Sequence, residues 1–429
     1  MRYCIKGGEI VDPAGGFSGS GDLLIEDGKV TAVERELEVE DCQVYDASGK
    51  LVFPGLIDLH VHLREPGRED EETIAGGAKA AIKGGFTGIA CMANTDPVAD
   101  NAVVIEYIKK QAQAAGYAKV YPIGAITKGL QGRELAEMGA MAAAGAVGFS
   151  DDGKTVTNAA VFREALEYAT QFGLPLFLHE EDPDLAGDGV MHEGYWSTVL
   201  GLPGIPSVAE EIMIARDILL AEYTGARVHF CHVSAAGSVR LIREAKFRGL
   251  LISAEVTPHH FSLSDAMVQS YDPVFRVSPP LRGERDLAAL KEGLRDGAID
   301  VIATDHAPHT LEEKHREFSL APTGMIGLET ALSVAWTELV LEKILTKQQL
   351  VEKMSVNPAA VLGISGGSLK TGAAADVIVF DPNLEWTVTP EQLVSKSKNS
   401  PFIGRKLMGG VDGVWVNGDL KLAHGNFVE

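Results

Sequence analysis

The sequence predicts an α/β protein, a (β/α)8 barrel with a small β-sandwich domain formed by both chain termini. Eight short apolar runs in the middle of the chain are each followed by a segment of helical character. Buried parallel strands are typically continuous apolar runs, and the helices between them make the crossover connections. Strand-like segments with Gly-rich turns occupy both ends. Histidines and aspartates collect where the apolar runs end, as in the active sites of such barrels.

The two ends of the chain share one pattern. YCIKGGEIVD, GDLLIEDGKVTAVE and CQVYDASGKLV come first, and AADVIVFDP and GVDGVWVNGDLKLAHGNF come last. Gly-Gly, Asp-Gly and Asn-Gly steps between short apolar strands are hairpin signals. We therefore expect residues 1–54 and 365–429 to form the small β-sandwich domain and residues 55–364 to form the barrel.

The eight strand candidates of the middle are LIDLHVH, FTGIACMANT, KVYPIGAIT, GAVGFSDD, LPLFLHEE, RVHFCHVS, LLISAEVTPHH and DVIATDHAPH. Helical segments are expected between them, at Arg133–Ala144, Asn158–Phe172, Val208–Thr224 and Glu284–Asp296. A doubly wound open sheet is the alternative architecture. No Gly-x-Gly-x-x-Gly fingerprint follows the first strand, which counts against a dinucleotide-binding version of that sheet.

Charge and composition exclude several classes of function. The 429 residues carry 38 basic and 60 acidic side chains, a net charge of -22, so nucleic acid and anionic membrane surfaces are not expected partners. No apolar run reaches the roughly 18 residues of a membrane span. The four cysteines form no Cys-x-x-Cys pair, which indicates reduced thiols and a cytoplasmic protein.

Polar residues follow six of the eight strand candidates, where a barrel carries its active site. They are His60 and His62 at the first strand, Asp151 and Asp152 at the fourth, His179 at the fifth, His232 at the sixth, His259 and His260 at the seventh, and Asp305 and His306 at the eighth. His60 and His62 are two residues apart, so on a strand both face the same side and can reach one metal ion. Histidines that merely cap strand ends are the structural alternative.

These motifs resemble the type I (bacterial) dihydroorotases of the amidohydrolase superfamily. The resemblance covers the whole chain and rests on PGLIDLHVHLREPG, CMANTDP, FSDDG, FLHEED, HVSAAGSV, SAEVTPHHF, PPLR, IATDHAPH, GLETAL, NPAAVLG and ADVIVFDP. It implies the reversible, metal-dependent cyclisation of N-carbamoyl-L-aspartate to (S)-dihydroorotate in de novo pyrimidine synthesis. It also implies a homodimer.

The resemblance further implies two divalent metal ions at the barrel mouth, with zinc expected. The implied ligands are His60, His62 and Asp305 for one ion, His179 and His232 for the other, and Asp152 as the bridge. Many relatives bridge their metals with a carboxylated lysine from the fourth strand. This strand contains no lysine, and Lys154 lies beyond it. Asp151 remains an alternative to Asp152 as the bridging residue.

By the same resemblance, Asp305 shuttles the proton. The implied substrate-binding residues are His62, Arg64, Asn94, Ser278, His309, Thr323 and Gly324. We expect Arg64, two residues past His62, to point the same way and to offer a bidentate fork to an anionic small substrate. Two positions depart from the family pattern, which has Asn at Ser278 and Phe-Gly at Thr323-Gly324. Both would touch the substrate ring, so they bear on substrate choice.

Two alternative functions remain open from the sequence. One is another cyclic amidase of the hydantoinase or allantoinase type, which a lysine at the end of the fourth strand would favour. The other is a non-catalytic, dihydroorotase-like scaffold that partners a carbamoyltransferase such as aspartate carbamoyltransferase. Such a scaffold would be expected to lack metal ligands. Finally, the charged segment Thr310–Pro322 is long for a barrel loop, and we expect it to be a mobile lid.

Overall fold

The computed structural model describes residues 2–428. Its strands are β1 (Arg2–Asp12), β2 (Phe17–Glu26), β3 (Lys29–Glu34), β4 (Gln43–Asp46), β5 (Leu51–Pro54), β6 (Leu56–Val61), β7 (Phe86–Cys91), β8 (Lys119–Pro122), β9 (Phe149–Ser150), β10 (Leu176–Leu178), β11 (Met191–His192), β12 (Gly204–Ile205), β13 (Val228–Phe230), β14 (Ile252–Val256), β15 (Val301–Ile302), β16 (Val377–Thr387), β17 (Lys406–Val416), β18 (Asp419–Ala423) and β19 (Asn426–Phe427).

The helices alternate with the strands of the middle. They are α1 (Ile74–Lys83), α2 (Ala102–Ala115), α3 (Met138–Ala144), α4 (Ala159–Thr170), α5 (Pro183–Ala186), α6 (Tyr195–Leu200), α7 (Val208–Thr224), α8 (Ala236–Phe247), α9 (Pro258–Ser262), α10 (Glu284–Asp296), α11 (Leu311–Lys314), α12 (Ala331–Ala335), α13 (Lys347–Val351) and α14 (Asn357–Leu362). Short 3-10 and π turns extend several of them.

Eight parallel strands form the barrel in chain order. β6, β7 and β8 pair in one group, and β9, β10, β13, β14 and β15 pair in a second. Parallel bridges between Gly124 and Phe149 and between Val61 and His306 join the two groups on both sides. The sheet therefore closes on itself, which confirms the predicted barrel. The alternative of a doubly wound open sheet is wrong.

The two ends of the chain meet in one nine-stranded sheet. Its order is β19-β18-β17-β16-β5-β1-β2-β3, with β4 paired to β1. β5 is the junction, because it lies parallel to β1 and antiparallel to β16. The expected pairing of N-terminal with C-terminal strands is therefore observed, with strands drawn from residues 2–54 and 377–427.

The terminal sheet and the barrel share one apolar core. Phe53 of β5 and Phe380 of β16 are fully buried, and their ring centroids lie 5.8 Å apart. Trp336, which follows the barrel helix α12, packs against Phe380 at 5.3 Å. Because these rings belong to one hydrophobic cluster, the sheet stabilises the barrel rather than standing apart from it.

Two of the four predicted helices have the expected bounds, and two were predicted too long, since the one expected at Asn158–Phe172 runs only from Ala159 to Thr170. α7 and α10 match the prediction, and α4 begins after Asn158, whose side chain accepts hydrogen bonds from Ala160 N and Val161 N. The helix predicted to start at Arg133 begins only at Met138. The chain before it folds back, and Leu135 forms an antiparallel bridge with Thr127.

Among residues 2–428, no helix combines the length and apolar character needed to cross a membrane. All four cysteines are free thiols.

Candidate metal centre and active site

The carboxyl ends of the barrel strands surround a cavity of about 500 Å³. It is lined by His62, Arg64, Asn94, Asp152, His179, His232, Ser278, Asp305, His309, Thr323 and Gly324, together with residues that the sequence did not single out. Of the twelve predicted site residues, only His60 is not part of this lining. It is fully buried next to the cavity, in contact with residues that line it. The structure thus brings all twelve to one place.

His60, His62 and Asp305 meet on one side of the cavity. His60 lies in β6, His62 just follows it, and Asp305 follows β15. His62 Nε2 is 3.0 Å from Asp305 Oδ1, and His60 Nε2 is 3.5 Å from the same oxygen. One ligand atom from each residue lies within 4.8 Å of the others. This spacing allows one cation to contact all three side chains.

Asp152 occupies the centre of the histidine cluster. Its Oδ1 lies 3.4 Å from both His60 Nε2 and His232 Nε2, and 3.7 Å from His179 Nδ1. Its Oδ2 lies 3.5 Å from His62 Nε2. His179 Nδ1 and His232 Nε2 are 3.0 Å apart. One carboxylate therefore faces both pairs of histidines, which is the position that a bridging ligand requires.

The donor set fits divalent metal ions. His60 Nε2 is buried and has no hydrogen-bond partner among the described residues, which is unusual for a buried nitrogen. Burial and the adjacent His232 lower the pKa of His179 to about 4, so its imidazole is neutral and keeps a lone pair. Burial would raise the pKa of Asp152 and Asp305, but the protonated His60 and His232, whose own pKa values these contacts raise, outweigh it and hold both carboxyls ionised. A bound cation would take the place of the protons on these histidines. Neutral imidazoles and carboxylates are the ligands of zinc and similar ions.

The two neighbouring aspartates after β9 face different surroundings. Asp151 Oδ1 accepts hydrogen bonds from Ile126 N and Thr127 N, both at 2.9 Å, and Oδ2 accepts one from the Thr127 hydroxyl. Asp151 therefore ties two barrel loops together and does not face the histidines. Lys154 is exposed to solvent. Of the bridge candidates from the sequence, only Asp152 lies among the histidines.

Three residues of the site have a left-handed backbone. The φ angles of Arg64, His232 and Asp305 are 62°, 34° and 46°. Such a conformation costs a non-glycine residue about 1–3 kcal/mol and tends to occur at functional sites. The expected alternation from His62 to Arg64 does not explain the direction of Arg64, because β6 ends at Val61. The turn after the strand aims Arg64 at the cavity instead.

Arg64, Asn94 and His309 form one wall of the cavity. Arg64 Nη2 is 3.4 Å from His309 Nε2, and Arg64 Nε donates to Pro308 O at 3.1 Å. Asn94 Oδ1 accepts from His62 Nδ1 at 2.9 Å. Because the oxygen of Asn94 is thus engaged, its amide nitrogen is free to donate to a ligand. This wall offers several donors to an anion.

The two departures from the family pattern also lie in the cavity wall. Ser278 lies near Glu181, and both line the same cavity. Thr323 contributes its carbonyl oxygen, 2.8 Å from His309 Nε2. Gly324 has a φ of 130°, and a Cβ there would lie 3.1 Å from His309 Nε2. Gly324 therefore permits the close approach of the chain to His309.

Sequence reasoning missed several residues of this region. Glu255 is fully buried, and its Oε1 and Oε2 accept from His60 Nδ1 at 2.8 Å and from His229 Nε2 at 3.0 Å. These bonds orient His60 so that Nε2 faces the cluster. A charged residue inside the apolar run LLISAEV was a signal for this role. Glu71 and Arg276 left no such signal, because Glu71 contacts the distant His309 and Arg276 contacts the distant Phe318.

Comparison with solved structures identifies the class of protein. The L-hydantoinase (dihydropyrimidinase) from Arthrobacter aurescens superposes with a TM-score of 0.88 and 26% identity, over 100% of this chain and 97% of that one. The D-hydantoinase (dihydropyrimidinase) from Thermus sp. gives a TM-score of 0.84 and 26% identity, over 99% and 96%. With its barrel and its histidine–aspartate cluster, the protein is a hydrolase of cyclic amides, of the metal-dependent amidohydrolase type.

Sequence comparison narrows the class to one family. Residues 49–238 match the model of the family described as Dihydro-orotase-like. The dihydroorotase of Pelotomaculum thermopropionicum is 58% identical over 409 residues, which are 95% of this chain and 96% of that protein. The dihydroorotase of Acetivibrio thermocellus is 53% identical over 416 residues, 97% and 98% of the two chains. The chain belongs to the dihydroorotase family.

Proposed function

We propose that the protein interconverts N-carbamoyl-L-aspartate and (S)-dihydroorotate, in the synthesis of pyrimidines. The observation that carries this proposal is the meeting of two groups of side chains in one cavity. One group is the cluster of four histidines and two aspartates, and the other is the wall of Arg64, Asn94 and His309. A cyclic amide that carries a carboxylate needs both.

Two divalent metal ions, with zinc expected, would be held by this cluster. His60, His62 and Asp305 would hold one ion, His179 and His232 the other, and Asp152 would contact both. When bound, such ions lower the pKa of water and polarise the amide carbonyl. The positions of Asp152 and of the unpartnered His60 Nε2 support this assignment.

The wall residues would hold the substrate carboxylate. The Arg64 guanidinium and the Asn94 amide, with the His309 imidazole beside them, give directional donors to an anion in an otherwise strongly acidic protein. Binding there would turn the ring so that its amide carbonyl faces the histidine cluster. Ser278, Glu181, Thr323 and Gly324 would surround the ring from the other sides.

Asp305 would carry the proton in both directions. In ring opening its carboxylate accepts a proton from the attacking water and delivers it to the ring nitrogen as the C–N bond breaks. In ring closure the same carboxylate takes a proton from the ureido nitrogen and gives it to the departing oxygen. The positively charged surroundings lower the pKa of Asp305 despite its burial, so that its carboxylate can act as a base.

The alternatives raised by the sequence have less support. A hydantoinase or allantoinase would act on a ring without a carboxylate. Such a substrate would have no group for Arg64 and His309 to bind. The non-catalytic scaffold would not need the complete cluster. Zinc as the metal, a cytoplasmic location, the homodimer and an association with aspartate carbamoyltransferase remain predictions.

The test is a reversible assay with purified protein. Ring closure consumes a proton, because a dianion becomes a monoanion with release of water, so acidic buffer should favour dihydroorotate and alkaline buffer N-carbamoyl-L-aspartate. Protein stripped of metal by a chelator is the matched control, and added zinc should restore turnover in both directions. A protein that turns over neither compound after reconstitution would refute the proposal.

A further inference from the structure

Glu71 lies behind the wall that we assign to the substrate carboxylate. It precedes α1 and is only 2% exposed. Its Oε2 lies 3.0 Å from Arg64 Nε, and its Oε1 accepts a hydrogen bond from His309 Nδ1 at 2.8 Å. A single buried carboxylate therefore contacts both residues that would hold the substrate anion.

We propose that Glu71 is a positioning residue that sets the orientation of Arg64 and His309 for binding the carboxylate of the substrate. This inference rests on the proposed function and names a determinant of its specificity. Glu71 does not line the cavity and would not touch the substrate. It would act only through the two side chains that it holds.

The contacts of Arg64 and His309 determine which of their atoms are already engaged. Arg64 uses Nε for Glu71 and for Pro308 O, so its Nη atoms are the ones left for a ligand. His309 uses Nδ1 for Glu71, and its Nε2 lies 2.8 Å from Thr323 O and 3.4 Å from Arg64 Nη2. Both residues line the cavity. Glu71 thus holds the guanidinium of Arg64 and the imidazole of His309 side by side in the cavity wall.

A second set of charges links Glu71 to the predicted lid. Arg68 Nη2 lies 3.2 Å from Glu71 Oε1 and 2.7 Å from Glu313 Oε1, and Glu313 belongs to α11. The positive charges of Arg64 and Arg68 thus lie against the negative charges of Glu71 and Glu313. Glu71, His309 and Glu313 resemble a metal-binding group in their spacing, but the two arginines already neutralise the carboxylates.

The two oxygens of a carboxylate are what this position requires. Glu71 Oε1 accepts a hydrogen bond from His309 Nδ1, and Oε2 forms an ion pair with Arg64 Nε, whose N–H donates to Pro308 O. A glutamine is uncharged and has one oxygen and one NH2 group, so Glu71→Gln loses the ion pair with Arg64 even if its oxygen still accepts from His309 Nδ1. The substitution keeps the size of the side chain, so the change should reach the substrate site without leaving a cavity.

The experiment compares Glu71→Gln with the wild type and with Asp70→Asn. Asp70 is an exposed partner of Arg68, and its substitution leaves both contacts of Glu71 to the wall intact. For Glu71→Gln we expect KM for dihydroorotate to rise about tenfold, as for the loss of one charge-assisted contact, with kcat changed much less. Metal content should equal that of the wild type, and Glu71→Asp should recover part of the loss.

A binding measurement separates positioning from general damage. Calorimetric titration with orotate, which keeps the ring and the carboxylate, should show weaker binding in Glu71→Gln and unchanged binding in Asp70→Asn. An unchanged KM and orotate affinity in Glu71→Gln would overturn the inference, as would equal losses of kcat and metal content. A wild-type protein inactive on dihydroorotate would instead overturn the proposed function.

Discussion

At the scale of single residues, two adjacent aspartates have different tasks. Asp152 faces four histidines, whereas Asp151 is occupied by the backbone and hydroxyl of the Ile126–Thr127 segment. The motif FSDDG alone does not decide which aspartate faces the histidines, because alternation along a strand says only that neighbouring side chains point to opposite sides. Which one points inward depends on the register of β9 in the closed barrel.

Substitution of these two aspartates tests the proposed bridge. Asp152→Ala should lower bound metal more than the loss of any single histidine, because it removes a contact to both ions. Asp151→Ala should keep both metals and lose stability instead, since buried N–H groups lose their acceptor. Metal analysis of the two variants, reconstituted with and without bicarbonate, measures this. Two retained metals in Asp152→Ala, or a need for bicarbonate in the wild type, would count against Asp152.

Asp305→Asn tests the proton shuttle. The amide is close in shape to the carboxylate but cannot accept the proton, so kcat should fall by ~10²–10⁴-fold. Circular dichroism and thermal unfolding should stay close to those of the wild type. If turnover remains within a few-fold of the wild type while the metals stay bound, another group carries the proton.

At the scale of elements, the predicted lid Thr310–Pro322 is fixed to the cavity wall by hydrogen bonds from a buried lysine. Lys314 of α11 is 6% exposed, and its Nζ donates to Pro322 O at 2.9 Å and to Arg276 O at 3.4 Å. Arg276 in turn donates to Phe318 O at 3.2 Å. These hydrogen bonds of Lys314 and Arg276 hold the predicted lid against the cavity wall. Composition predicted a mobile charged loop, but it could not predict hydrogen bonds that join residues distant in the chain.

Because Lys314 is buried when the lid is closed, opening of the lid should depend on pH. Burial, and then the charge of Arg276, lower the pKa of Lys314 to about 7. An open lid would return this pKa towards its ordinary value of about 10.4, so the open state binds more protons between the two values. Closure should therefore strengthen as pH rises from 7 towards 10, by at most about tenfold per pH unit.

Hydrogen exchange of residues 310–322, corrected for intrinsic rates, measures this dependence. Protection should be greater at pH 9 than at pH 7 in the wild type, and the difference should vanish in Lys314→Met. The strands β13 and β14 serve as an internal reference. Protection of the segment that equals that of the barrel strands at both pH values, with and without substrate, would contradict the lid.

At the scale of the whole molecule, the sequence predicted the barrel, the terminal sheet and eleven of the residues that line the cavity. These features leave local signals: apolar runs, Gly turns, and polar residues at strand ends. It did not predict the β11–β12 pair, the late start of α3 at Met138, or the roles of Glu71 and Glu255. Those depend on contacts between segments far apart in the chain, such as the bond from His309 to Glu71.

The central claim is that this cavity opens and closes a ring that carries a carboxylate. Its most direct test measures kcat/KM of the metal-loaded protein for dihydroorotate, hydantoin and allantoin side by side. Since Arg64 and His309 would bind the carboxylate, dihydroorotate should exceed the other two by at least about a hundredfold, as two lost charge-assisted contacts imply. A preference for hydantoin or allantoin, or equal rates for all three, would contradict this account.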